Sequence, residues 1–128
     1  KTAEDLMITG KKIPFVNENL TMNKALKILT SKKLGILVIK NNKGLTTGII
    51  TDGQIRRAAE KNKNLNDIPV KKIMTKNPIK VEKNTLAAKA LALMNTKKIT
   101  SLCVYNKTYK DQTIGVLHIH NILEANVQ

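Results

Sequence analysis

The chain is written twice. Slid along itself, it matches at an offset of 65 residues: Val16, Asn19, Lys24, Ala25, Leu26, Lys32, Lys33, Leu37 and Asn41 recur as Val81, Asn84, Lys89, Ala90, Leu91, Lys97, Lys98, Leu102 and Asn106. The lysine matches carry little weight in a chain this rich in lysine. The others do, and the like pairs Leu29/Met94, Leu34/Ile99 and Ile39/Val104 keep the same apolar phase. Outside that window the offset becomes 67, so that Leu6-Met7 answers Ile73-Met74 while Gly48, Ile55 and Ala58 answer Gly115, Ile122 and Ala125. Two length changes explain the shift, one before Val16 and one in a hairpin loop that is longer in the second copy. Loops tolerate such changes.

Each copy reads as one supersecondary unit. Thr21 stands at an N-cap position, and Met22, Ala25, Leu26 and Leu29 fall at i, i+3, i+4 and i+7, the stripe of an amphipathic helix; Ala87, Ala90, Leu91 and Met94 repeat it. A strand follows each helix, Gly35 to Lys40 or Ser101 to Asn106, then a turn and a second strand. Asn41-Asn42-Lys43-Gly44 supplies residues that tolerate positive φ, which predicts a hairpin. A short helix closes each copy, beginning near Asp52 and near Ile119. The spacing predicts an α/β (α+β type) fold of two pseudo-two-fold-related halves, each a small sheet with helices on one side. The first copy is expected over 1–60, a linker rich in Asn and Lys over 61–69, and the second copy over 70–128. Pro69 is expected in the first turn of a short helix running to Met74.

Leu, Ile, Val and Phe number 37 of 128 residues, about 29%, enough for a core. No apolar run approaches the roughly 18 residues of a membrane span, and no signal peptide opens the chain, so a soluble cytoplasmic protein with no membrane partner is expected. The single cysteine, Cys103, excludes a disulfide framework and a thiolate zinc cluster within one chain. It lies mid-strand, as a small buried apolar group does. The net charge of +14 draws anions. Nucleic acid fits poorly, because 21 of the 23 basic residues are Lys, scattered along the chain, and Phe15, Tyr105 and Tyr109 are the only aromatics to stack on bases. A solvated Lys-rich surface and a small anionic ligand remain.

The strand-to-helix junctions hold the distinctive chemistry. The first reads Gly48-Ile49-Ile50-Thr51-Asp52-Gly53-Gln54-Ile55-Arg56-Arg57, the second Gly115-Val116-Leu117-His118-Ile119-His120-Asn121-Ile122, and both arginines and both histidines of the chain lie in them. A helix N-terminus stabilises an anion, and Gly53 lets backbone approach it closely. Arg56 and Arg57 either grip phosphate or carboxylate with a planar fork or pair with Glu60 on the same helix. His118 and His120 point to opposite faces if the strand continues through them, and no carboxylate is near in sequence; no metal is expected. No nucleophile–base pair or matched carboxylate pair occurs, so no catalytic residue is assigned.

The Met-Thr-Lys-Asn-Pro-Ile segment from Met74 to Ile79, the helix through Ala90-Leu91 and the Gly-Ile-Ile-Thr junction at Gly48 to Thr51 are marks of an entry, helix and junction order that runs twice through the chain, and they resemble a tandem pair of CBS domains. The stretches from Thr51 to Ala58 and from Gly115 to Leu123 resemble more narrowly the C-terminal CBS pair of bacterial D-arabinose 5-phosphate isomerases, which supply the Kdo/lipopolysaccharide pathway or capsule synthesis. The resemblance implies a regulatory module without enzyme activity of its own, a fragment whose N-terminal sugar isomerase domain is missing, as a start at Lys1 without Met fits. Family pairs that hold adenosine nucleotides set Thr or Ser near the phosphate and Asp three residues later on the ribose; here Thr51 fits, Gln54 replaces the Asp, and His118 and Asn121 replace both. The resemblance therefore implies an anion other than AMP or ATP, such as a CMP-sugar acid, with no further cofactor. Its expected site is Thr51, Asp52, Gly53, Arg56 and Arg57, with Thr75 and Asn77 at the mouth and His118, His120 and Asn121 from the other copy. The alternatives are a purely structural module and an adenine-nucleotide sensor of another protein. A homodimer through small residues such as Ala58, Ala59 and Ala125 is expected, and a tetramer in the full-length parent. The family tends to have Pro where Cys103 stands.

Overall fold

The computed structural model describes residues 1–125. In chain order the elements are α1 (Ala3–Leu6), β1 (Phe15–Asn17), α2 (Met22–Lys32), β2 (Ile36–Lys40), β3 (Thr46–Thr51), α3 (Asp52–Lys61), β4 (Thr75–Lys76), β5 (Lys80–Glu82), α4 (Ala87–Lys97), β6 (Ser101–Asn106), β7 (Tyr109–His118) and α5 (Ile119–Glu124). Short 3-10 turns cover Gly10–Lys12, Leu65–Asp67 and Val70–Lys72. Both hairpins stand where the repeat puts them, with Gly44 at φ 81° closing the first and Asn41 Oδ1 accepting from the Lys43 and Leu45 amides. The second loop is not the longer one: it spans only 107–108, and the extra residues lengthen β7, with register shifts opposite Val104 to Asn106.

Two compact units form: residues 14–78, and residues 1–13 together with the chain from 79 onward. In the first, a sheet of order β1-β2-β3-β4 has β1 parallel to β2 and the rest antiparallel. Leu37, Ile39 and Ile50 pack on the α2 stripe of Met22, Ala25 and Leu29, with Val16, Leu65 and Val70 completing the core. In the second, the sheet β5-β6-β7 sets Leu102, Val104 and Leu117 against Ala87, Ala90 and Met94 of α4, with Ala3, Val81 and Ile122. Ala3 occupies the place that Val70 takes in the other core, and the two are 67 residues apart.

These units are not the two sequence copies. Chain order would leave residues 1–13 with the first copy, but they lie in the unit of the second; Ile8 bridges Val116 and Met7 packs on Gly115. The leading segment of the second copy lies in the unit of the first, with Thr75 of β4 paired to Ile49 and Met74 on Gly48. The units divide at 13/14 and 78/79, whereas the copies expected from the repeat run 1–60 and 70–128.

The same placement explains the helix starts. Thr21 is the N-cap of α2, yet its hydroxyl takes no capping hydrogen bond. The Met22 amide instead donates to Ile68 O at 2.8 Å, and the Ala87 amide of α4 donates to Lys1 O at 2.8 Å. A backbone carbonyl from the leading segment does the work of a side-chain cap, so Leu86 serves at the N-cap of α4 without penalty. The expected linker is partly ordered secondary structure: α3 runs through Lys61, and Leu65 is buried. Pro69 stands just before a turn that ends at Lys72, not inside a helix reaching Met74.

Candidate functional site

The β3–α3 junction is built by a capping box. Thr51 is the N-cap; its hydroxyl accepts from the Gln54 amide at 3.4 Å, and Gln54 Oε1 accepts from the Thr51 amide at 2.9 Å. Gln54 Nε2 then donates to Thr75 Oγ1 of β4. Thr51, Gln54 and Thr75 thus form one chain of hydrogen bonds across three elements, and a carboxylate at position 54 has no N–H to make the last link. The sequence gives Gln54 only as a replacement for Asp and not among the expected site residues. The Thr-x-x-Gln spacing of a capping box was the signal for it.

Around this chain the other expected residues are placed unequally. The Asp52 amide, expected to meet an anion, donates to Gly35 O at 3.2 Å. Gly35 lies at φ 68°, where its missing Cβ also clears the Asp52 carboxylate. Arg57 is exposed and folds back along α3, its Nη1 lying 3.2 Å from where a Cβ on Gly53 would stand. Arg56 is exposed as well, and among the described residues neither arginine forms an ion pair with Glu60. Asn77 is exposed at φ 52°, in the left-handed region, just before Pro78. An open groove of about 380 Å³ runs beside α3, lined by Gln54, Arg57, Ala58, Lys61, Asn62, Lys72 and Ile73. Lys61 and Lys72 meet there only through tertiary contact, which no sequence spacing announces.

The second unit holds the remaining three. His118 is the N-cap of α5; its amide donates to Asn121 Oδ1 at 2.9 Å, and its Nδ1 accepts from the His120 amide at 3.1 Å. Burial, followed by the neighbouring His120, holds the His118 imidazole below its ordinary pKa. The accepting Nδ1 fixes the neutral tautomer with the proton on Nε2. The two histidine rings do not diverge to opposite faces: β7 ends at His118, and the turn into α5 stacks them with centroids 4.8 Å apart. Among the described residues no group of three His, Cys, Asp or Glu gathers to hold a metal, and no helix is long and apolar enough to cross a membrane. Cys103 is buried, its thiol pushed up to about 11 chiefly by desolvation, which leaves it unreactive.

Against known proteins, the CBS domain family matches residues 3–61 and again 70–127. The arabinose 5-phosphate isomerase KdsD of Salmonella typhimurium is 39% identical over 123 residues, 96% of this chain and 37% of that protein. The same enzyme of Escherichia coli K12 is 37% identical over the same shares. The chain therefore spans little more than a third of the length of these relatives. Among solved structures, CBSX2 in complex with AMP superposes with a TM-score of 0.85 at 23% identity, covering 98% of this chain and 95% of that one. A CBS domain pair in complex with 5′-methylthioadenosine and S-adenosyl-L-methionine gives 0.86 at 21% identity, covering 98% and 95%.

Proposed function

The chain belongs to the CBS domain family, which it carries twice, and from that premise we propose that it is the ligand-sensing module of an arabinose 5-phosphate isomerase serving lipopolysaccharide or capsule synthesis in the cytoplasm. Its ligand is an anionic nucleotide sugar of the CMP-sugar acid class. The observation that carries this reading is the pair of carboxamides: Gln54 and Asn121 stand at the helix positions where the family resemblance implies Asp in adenosine-binding pairs, and both are tied to their N-caps. A neutral amide there withdraws one carboxylate from beside a bound phosphate or sugar acid and leaves Asp52 as the acidic side chain of the first junction; cytidine and adenosine nucleotides carry the same ribose diol, so the choice between them falls to the base and the sugar acid. Thr51, Thr75 and Asn77, with Arg56 or Arg57, supply donors on the first junction; His118, His120 and Asn121 supply them on the second. Adenine nucleosides, bound by the neighbours described above, are the alternative ligands. A dimeric structural module is a second reading, favoured by Leu123 of α5, which is 52% exposed.

Thermal denaturation of the pure chain with CMP, a CMP-sugar acid, AMP, ATP and S-adenosyl-L-methionine separates these readings. A ligand present at 100 times its dissociation constant adds about 2.7 kcal/mol to the folded state. The CMP-sugar acid is expected to raise the Tm most, while the chain alone shows no turnover of arabinose 5-phosphate. A larger rise with AMP or ATP, or no rise with any of the five, defeats the proposal.

A further inference from the structure

We propose that the groove beside α3 is a second anion site, one that takes a small molecule through a phosphate or polyphosphate group and adjoins the first junction, with which it shares Gln54 and Arg57. One wall is a helix stripe, since Gln54, Arg57, Ala58 and Lys61 fall at i, i+3, i+4 and i+7. The other wall is Lys72 and Ile73, whose backbone is fixed by the 3-10 turn: the Lys72 amide donates to Pro69 O at 3.0 Å and the Ile73 amide to Val70 O at 2.9 Å. Three cations line the groove and no carboxylate does. Neither Arg57, Lys61 nor Lys72 has an ion-pair partner among the described residues.

One further feature suits an anion and one opposes it. Arg57 and Lys61 are like charges one helical turn apart with Lys72 facing them, a mutually repulsive set that a bound polyanion relieves. The groove lies near the C-terminal end of α3, where the helix dipole opposes an anion; Asn62 blunts this at one carbonyl only, Ala58 O, through its amide at 3.0 Å and its Nδ2 at 2.9 Å, and the three cations have to outweigh the rest. Ala58 and Ile73 line the same space with apolar surface.

Inorganic pyrophosphate is the probe, titrated into the whole chain with backbone amide shifts as the readout. Saturable shifts are expected at Ala58, Lys61, Asn62, Lys72 and Ile73. The double variant Lys61→Gln/Lys72→Gln is expected to weaken binding about tenfold. The control Lys24→Gln/Lys27→Gln removes the same charge from the exposed side of α2 and is expected to leave affinity within twofold. Equal weakening by the control, shifts confined to Thr51 and Thr75, or a non-saturating response spread over the lysines overturns the groove. A parallel CMP titration followed at Thr51 and Thr75 keeps the two ideas apart, since its failure beside a saturating pyrophosphate response refutes the junction reading alone.

Discussion

Gly48 and Gly115 recur in the sequence for a reason seen only in three dimensions. A Cβ on Gly48 would stand 2.6 Å from Thr75 O and 2.7 Å from Met74 Sδ, while one on Gly115 would strike the Met7 side chain, with Ile8 O at 3.1 Å. The obstacle at Gly48 includes paired backbone; at Gly115 it is mainly a flexible thioether. Gly48→Ala is therefore expected to destabilise by about 1–3 kcal/mol, as overpacking does. In double-mutant cycles read by urea denaturation, shortening Met7 to Ala should offset much of the loss in Gly115→Ala, whereas shortening Met74 should offset little in Gly48→Ala. Equal offsets would show that Thr75 O gives way. The sequence exposed these glycines and methionines as repeat partners, but not that they touch, because each pair joins the leading segment of one copy to the hairpin of the other.

At the scale of an element, both closing helices begin on a side chain that takes a backbone N–H, and in α5 that side chain titrates. His118 accepts through Nδ1 only while neutral. Its folded pKa lies below the ordinary 6.5, so the folded state binds fewer protons than the unfolded one in acid. The stabilisation is complete above about pH 6.5 and is lost as the pH falls through the folded value. We expect the Tm difference between wild type and His118→Asn, a non-titrating N-cap, to widen in favour of the variant from pH 7.5 to pH 5. A constant difference would mean that folding leaves the proton affinity of His118 unchanged. Helix and strand positions here were legible from the i, i+3, i+4, i+7 stripes and the Asn-Gly-type turn, since local periodicity encodes them. The caps of α2 and α4 were not, because their partners are the carbonyls of Ile68 and Lys1, remote in sequence. The candidate site was legible in part for the same reason: Thr51 and Asn121 announce themselves by spacing, while the Gln54–Thr75 link and the groove cations depend on which segment the fold lays beside α3.

For the whole molecule, residues 1–13 count as part of the unit built from residue 79 onward. Ala3 is fully buried there, its amide donates to Thr85 O at 2.8 Å, and Glu4 pairs with Lys83 at 3.6 Å. Deleting residues 1–8 should accelerate hydrogen exchange in α4, β6 and β7 well before β2 and β3 change. Exchange that rises first in β2 and β3 would contradict the division of the chain.

That division also bears on what a single copy would be worth alone. A chain of residues 3–61 has a leading segment with no strand β7 to lie on and a β3 with nothing over Gly48. The two deficits are complementary, so two such chains satisfy one another only by trading their first residues. Seen this way, joining the copies in one polypeptide turns a reciprocal loan between molecules into a permanent one. A rearranged gene that reads 14–128 and then 1–13 would leave the unit of 14–78 continuous, as it already is, and make the other continuous for the first time.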